Sequence, residues 1–476
     1  MASPSIAIVG AGFSGTLLAL HLLRRCPPEV RIVLVERNSR FGHGQAYSTG
    51  NPSHLLNVPA GRMSAFHDRP ADFLDWLRRH SDAAAQPHDF VPRGVYGGYV
   101  RSLLKEELRR APRGRLELLR GAVLGIDRAA HPLRLAIERD RVIEADLAVL
   151  ATGNFPPEPM PVADPSFYET ASYRPDPWSP QALAGLDPRA PVLLIGTGLT
   201  MVDVAISLLD QGHTGPILAL SRRGLLPRPH TPSANTSDGV SQAFPTSALQ
   251  MLRLFRQEAS RVEAEGGSWQ PIVDELRPFT RDVWQAMPLA EKARFLRHAR
   301  PWWEVHRHRM PPAVAERISR ARAEGQLQIQ AGRIRGFDIA GDRVGVTYRL
   351  RGSDSLQRAE VVRVINCSGP GADYARIADP LIQSLLEQGS ARADPLRLGL
   401  DVTSNCALLH RDGGVSRRVF AVGPVTKGAF WEITAVPDIR RQCELLAEHL
   451  AGLPRRTGER KVAGERAAAP AASYAI

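Results

Sequence analysis

The residues in this sequence best placed to do chemistry are not nucleophiles but two glycine-rich turns and the charges that follow them. The first turn is Gly10-Ala11-Gly12-Phe13-Ser14-Gly15, with Glu36 about 20 residues beyond its last glycine and Arg37 beside it. Gly10 permits a tight turn, Gly12 lets the backbone approach a pyrophosphate, and Gly15 lets a helix pack closely on a strand. Unpaired N–H groups at the helix start attract the phosphates, and Glu36 can accept hydrogen bonds from both ribose hydroxyls. The second turn is Gly196-Thr197-Gly198-Leu199-Thr200-Met201, and here the following strand ends in Ser221-Arg222-Arg223 instead of an acid. Guanidinium groups at that point suit a ribose 2′-phosphate. The expected ligands are therefore FAD at the first turn and NADPH at the second.

These residues need strands and helices to hold them. Ser5–Val9 reads as a buried strand, Thr16–Arg25 as a helix and Arg31–Val35 as the next strand. Pro191–Ile195 and Pro216–Leu220 repeat the strand pattern around the second turn. Between the turns, Ala148–Leu150 is an apolar strand ending in Ala151-Thr152-Gly153, which makes Thr152 and Gly153 candidate cofactor contacts. Val364–Gly369 has the same form, and Val419–Val422 runs into Gly423-Pro424 ahead of a helical pattern over Glu432–His449. Thr434 then falls at the start of the last helix, a candidate cofactor contact or only its N-cap. Alternating polarity over Arg115–Ala148 and Arg333–Arg363 fits β-meanders. The expected fold is α/β, with two Rossmann-like dinucleotide-binding domains, β-meanders and a helical insertion. Its expected boundaries are 1–188 and 371–450 for the FAD part, 189–370 for the NADPH part with an insertion at about 224–326, and a disordered tail over 451–476.

The chain resembles the bacterial FAD–NAD(P)-binding oxidoreductases, in the superfamily of flavin monooxygenases and glutathione-reductase-like enzymes. The resemblance spans residues 4–450 and is carried by Gly44–Thr49, Leu55–Ser64, Ser221–His230, Trp302–Pro312 and Gly428–Arg440. It implies that the last strand delivers a helix N-terminus to the flavin and that Leu55–Ser64 lies beside the ring. Asn57 would then hydrogen-bond the flavin and Arg62 bind substrate or phosphate, unless both merely satisfy a turn. The Baeyer–Villiger fingerprint is absent: Tyr173–Trp178 keeps only an aromatic and a tryptophan of it. The resemblance implies the fold and the two cofactors and leaves the reaction type open; the missing C-x-x-C and the fused NADPH domain favour an NADPH-dependent flavin monooxygenase acting on a small molecule over a disulfide reductase. A reductase without oxygen insertion and a non-catalytic flavin-bearing binding protein are the alternatives.

Flavin carries its own redox chemistry, and no H-E-x-x-H, G-x-S-x-G or Cys/His cluster is present. The segment Trp302-Trp303-Glu304-Val305-His306-Arg307-His308-Arg309 has two readings. It is a substrate or nicotinamide pocket in which His306 or His308 transfers protons and an arginine holds a carboxylate, or an amphipathic helix whose tryptophans pack and whose basic residues are solvated.

Composition narrows the remaining classes. The 476 residues, 43% hydrophobic and 23% charged, suit a globular protein with two sizeable cores. No apolar stretch is long enough for a membrane span, and Ile6–Gly10 lacks the basic leader of a signal peptide. Cys26, Cys367, Cys406 and Cys443 form no C-x-x-C pair, which favours a reducing cytoplasm and argues against a disulfide-relay reductase. The formal charge of +12 is spread along the chain without an aromatic-interleaved basic stripe, so no nucleic-acid partner is expected. A small-molecule substrate is expected, no membrane partner is, and homo-oligomerisation is compatible with the sequence.

Overall fold

The computed structural model describes residues 3–231 and 244–453. The expected tail lies outside them from residue 454, while 451 and 452 still belong to the last helix.

The first part begins with β1 (Ser5–Val9), α1 (Phe13–Arg25) and β2 (Arg31–Glu36), and continues through α2 (Asp72–His80), α3 (Arg93–Arg110) and β3 (Leu116–Arg120). Next come β4 (Val123–Asp127), β5 (Leu133–Ile137), β6 (Arg141–Ala145) and β7 (Leu147–Leu150). The second begins with β8 (Tyr173–Arg174), β9 (Val192–Ile195), α4 (Leu199–Asp210) and β10 (Ile217–Ser221). A helical block follows: α5 (Ala248–Ala264), α6 (Gln270–Glu275), α7 (Thr280–Ala286), α8 (Leu289–Arg294), α9 (Arg300–Arg307) and α10 (Pro312–Ala323). It leads to β11 (Leu327–Ala340), β12 (Arg343–Leu350), β13 (Leu356–Val361) and β14 (Arg363–Asn366). The chain closes with α11 (Pro380–Glu387), β15 (Ala407–Leu409), β16 (Val415–Ala421) and α12 (Val436–Gly452).

Two large sheets organise these elements. One has the order β15-β16-β7-β1-β2-β3 and the other β13-β12-β11-β10-β9-β14-β8, while β4-β5-β6 form a small antiparallel sheet. Every residue of β1 and of β9 is buried, the pattern of parallel strands covered on both faces. The α/β fold class is therefore as expected. The meanders differ in extent: β3 and β7 join the parallel sheet, leaving three strands in the first meander. In the second, one 14-residue strand, β11, passes from parallel pairing with β10 into antiparallel pairing with β12.

The last helix starts at Val436, not at Glu432 as the sequence pattern suggests. Pro437 explains the difference, because proline fits the first helical turn but breaks an interior one. The helix α3 ends at Arg110, where Ala111 turns extended ahead of Pro112.

A buried cross-link joins the sheets. Arg93, in the first turn of α3, pairs with Asp203 of α4 at 2.7 Å. His54 reaches Ser207 Oγ at 2.8 Å and the Asp203 carbonyl at 3.0 Å through one ring nitrogen.

Candidate functional site

Both glycine turns are built alike. Gly10 and Gly196 each have φ of +107°, and a Cβ on them would lie 2.3 Å from the Ala151 carbonyl oxygen and 2.5 Å from that of Cys367. The strand next to β1, and likewise the one next to β9, ends directly behind the first glycine. This is why the Ala151-Thr152-Gly153 and Cys367-Ser368-Gly369 triplets accompany the turns. A Cβ on Gly15 would sit 1.8 Å from the Gly10 carbonyl oxygen, so α1 packs there on bare backbone. The second turn has the buried Met201 at the matching position.

Gly12 and Gly198 cap α1 and α4 without any side-chain capping bond, which leaves first-turn N–H groups for an anion. Gly12 also faces Gly44, and a Cβ on Gly44 would lie 3.1 Å from the Gly12 Cα. Glu36 is held over the first turn, accepting from the Ala11 N–H at 2.8 Å and the Asn38 N–H at 3.1 Å. The Thr152 hydroxyl is closed to solvent beside the buried Tyr374 phenol. A pyrophosphate cradle and a ribose acceptor together fit a dinucleotide.

At the second turn the Ser221 hydroxyl accepts from the Gly224 N–H at 3.0 Å and meets Thr197 Oγ1 at 2.9 Å, which orders the bend carrying Arg222 and Arg223. Arg222 is exposed and Arg223 half-exposed, and neither has an ion pair or hydrogen bond among the described residues. Arg37, in contrast, pairs with Asp379 at 3.2 Å.

Gly12, Phe13, Ser14 and Gly153 of the first site share one cavity of about 240 Å³ with Thr200 and Gly369 of the second. Tyr47, Arg93, Trp178 and Thr434 complete much of its wall. Thr434 is exposed and makes no capping bond; Ala435 is the cap residue of α12. Gly423, with φ of +80°, lies against Ser14 and donates its N–H to Gln442 of α12 at 2.7 Å. That contact fixes the last helix against α1.

A larger cleft of about 1270 Å³ opens between the helical block and the segment before α12. Arg62 lines it, 64% exposed and 3.9 Å from Asp274. Asn57 lines neither cavity; its backbone carbonyl accepts from His230 at 3.0 Å. His306 also lines neither, bonded to the Trp302 carbonyl at 2.8 Å and edge-on to Trp269.

Trp302–Arg307 is helical and Arg309 lines the larger cleft, but the basic residues are not the solvated face of an amphipathic helix. Trp302 is exposed, while the arginines expected in solvent are buried, Arg307 6% and Arg309 3% exposed. Arg309 forms a two-pronged pair with Asp274 at 2.6 and 2.7 Å. Arg307 lies 3.5 Å from Glu432, which also accepts from Trp303 Nε1 at 2.8 Å. Burial pushes the Glu432 carboxyl up, but its cationic surroundings and the Trp303 N–H hold it below the usual carboxylate range. Burial also pushes the His308 imidazole down, toward the neutral form.

Sequence reasoning missed Arg93, Asp203, Asp274, Arg277, Arg281 and Arg440. Nothing local marks them, because each matters only through a partner far along the chain.

Residues 7–155 match the FAD-NAD(P)-binding family, so the resemblance drawn from the motifs is borne out there. No curated protein sequence matches the chain. Among solved structures, the reduced form of ornithine hydroxylase (PvdA) from Pseudomonas aeruginosa superposes with a TM-score of 0.66 at 14% identity, covering 95% of this chain and 99% of that one. The Kutzneria sp. 744 ornithine N-hydroxylase, with reduced FAD, NADP⁺ and L-ornithine, gives 0.63 at 14% identity over 94% and 99%. The cadaverine monooxygenase DfoA of Erwinia amylovora, bound to FAD, gives 0.64 at 13% identity over 98% and 99%. Among the described residues, no helix is long and apolar enough to cross a membrane.

Proposed function

Starting from a FAD-NAD(P)-binding domain at residues 7–155, we propose that this chain is an NADPH-dependent flavoprotein oxidoreductase, and within that class a monooxygenase of a small molecule. One observation carries the reading: both glycine turns open on the same cavity. Hydride transfer needs two dinucleotides end to end, and a shared cavity lets their reactive rings meet.

Bound FAD would supply the redox chemistry, accepting hydride from NADPH and passing electrons to dioxygen. The chain's part is to bind, orient and exclude water. The start of α1 holds the pyrophosphate of FAD, Glu36 its ribose, and Gly12 and Gly44 leave room for its backbone-close approach. The start of α4 and the Arg222–Arg223 pair hold NADPH in the same way. Trp178 and Tyr47 cover the cavity between them with aromatic surface. The structural neighbours named for ornithine and cadaverine make amines the first substrates to test.

The experiment is anaerobic mixing of the yellow protein with NADPH, followed by admission of isotopically labelled dioxygen with candidate amines. Bleaching of the flavin and label in the product are expected. Bleaching without label for any substrate would reassign the chain to the reductases, and failure of NADPH to bleach bound FAD would remove the oxidoreductase reading.

A further inference from the structure

The larger cleft carries more positive charge than its own carboxylates neutralise. Six arginines line it, Arg62, Arg277, Arg281, Arg309, Arg440 and Arg441, against the four acids Asp274, Glu275, Glu432 and Asp438. Two arginines are matched inside the cleft, Arg309 by Asp274 and Arg277 by Asp438 at 3.3 Å. Arg441 is matched outside it by Glu444 at 2.8 Å, and Glu432 is drawn toward Arg307 and Trp303.

Among the described residues Arg281 and Arg440 form no ion pair, and Arg62 forms only a long one to an Asp274 already held by Arg309. Arg281 lies over the Phe430 ring at 4.9 Å. Arg440 donates to the Ser64 carbonyl at 2.9 Å, and its Nε is buried with no partner. Arg62 approaches Asp274 only to 3.9 Å. The Nε of Arg309, on a residue 3% exposed, also lacks a partner. Arg62 is 64% exposed and Arg281 half-buried, so an anion entering the cleft can reach both guanidiniums without displacing a bound carboxylate.

The position of the cleft matters as much as its charge. Phe430, Trp431, Ile433 and Pro437 face it, whereas Thr434 and Ile439 face the cofactor cavity. A single segment of chain is thus the wall between the two.

We propose that this cleft binds the anionic group of a small molecule, a carboxylate or a phosphate, through Arg62, Arg281 and Arg440, with Phe430 and Trp431 packing against the remainder. Calling that molecule the substrate rests on the oxidoreductase reading; the binding itself does not.

The test is calorimetric titration of the FAD-loaded protein with citrate, inorganic phosphate and cadaverine. The anions should bind and the diamine should not, and the tighter of the two anions tells carboxylate from phosphate. The pair Arg62→Gln and Arg281→Gln should weaken the tighter anion at least tenfold, as expected for loss of charge-assisted hydrogen bonds. Asp274→Asn, which removes a negative charge from the same wall, should tighten it. Arg343→Ala, an exposed charge that lines neither cavity, should leave it unchanged. Unaltered affinity in the Arg62/Arg281 variant, loss of binding in the Arg343 variant, or binding of cadaverine in preference to the anions would overturn the proposal. Anaerobic reduction of the wild type by NADPH tests the oxidoreductase reading separately, and its failure with anion binding intact would leave the cleft site standing.

Discussion

Arg222 and Arg223 directly follow β10 and have no ion pair or hydrogen bond among the described residues, which is where a ribose 2′-phosphate would need them. A charge-assisted hydrogen bond contributes about 1.5–3 kcal/mol, and about 1.4 kcal/mol is tenfold in affinity. NADPH should therefore be preferred over NADH by roughly tenfold to a hundredfold. Arg222→Ala with Arg223→Ala should abolish most of that preference and spare NADH use, as read by anaerobic flavin reduction. Added salt should weaken NADPH more than NADH. At the first turn, Gly12→Val puts a side chain between two backbones, since even a Cβ there lies 3.3 Å from the Gly44 Cα. The variant should purify colourless and take up no added FAD; a yellow protein would show that the pyrophosphate lies elsewhere.

Between elements, the pair of Arg93 on α3 and Asp203 on α4 is the most consequential contact, because both side chains are largely buried, 14% and 8% exposed. Burial pushes the Asp203 carboxyl up while Arg93 pulls it back, so the carboxylate depends on its partner. Arg93→Ala should cost about 3–5 kcal/mol, the usual effect of stranding a buried charge. Adding Asp203→Asn should recover part of that loss, as measured by denaturant unfolding of the single and double variants. Additive losses would mean that the two residues do not act as a pair. Trp178 edges the same contact, lying 6.0 Å from the Arg93 guanidinium, so the cofactor cavity and the cross-link share a side chain.

For the whole molecule, acid stability follows from histidines folded away in neutral form. Burial foremost, with arginines nearby, lowers His21 and His230 from 6.5 to about 4. The unfolded chain takes up these protons near pH 6.5 and the folded one only near pH 4, so stability is complete above 6.5 and lost as the pH falls through that window. Thermal melts should show a midpoint that is flat above pH 6.5 and declines toward pH 4, more shallowly in His230→Asn. A midpoint unchanged over that range would mean these imidazoles are protonated in the fold.

What the sequence alone determined is what short spans of chain control. A strand, a tight turn, a helix start and a charge one strand later lie within about 30 residues, so glycine spacing and apolar runs revealed both glycine turns and the strands around them. Glu36 and Arg222–Arg223 were legible for the same reason, since each ends a strand whose neighbour holds the turn. The tertiary structure alone decided which distant segments face one another. Arg309 looks like a solvated charge on an amphipathic stretch until Asp274, 35 residues earlier, folds against it. His306 looks like a proton carrier until its ring proves to be bonded to its own helix. The arginine cleft combines side chains from residues 59–88, 230–309 and 430–442, and no periodicity links them. Burial and pairing are properties of the packed molecule, so whether a charge serves the fold or waits for a ligand cannot be read from its neighbours in sequence.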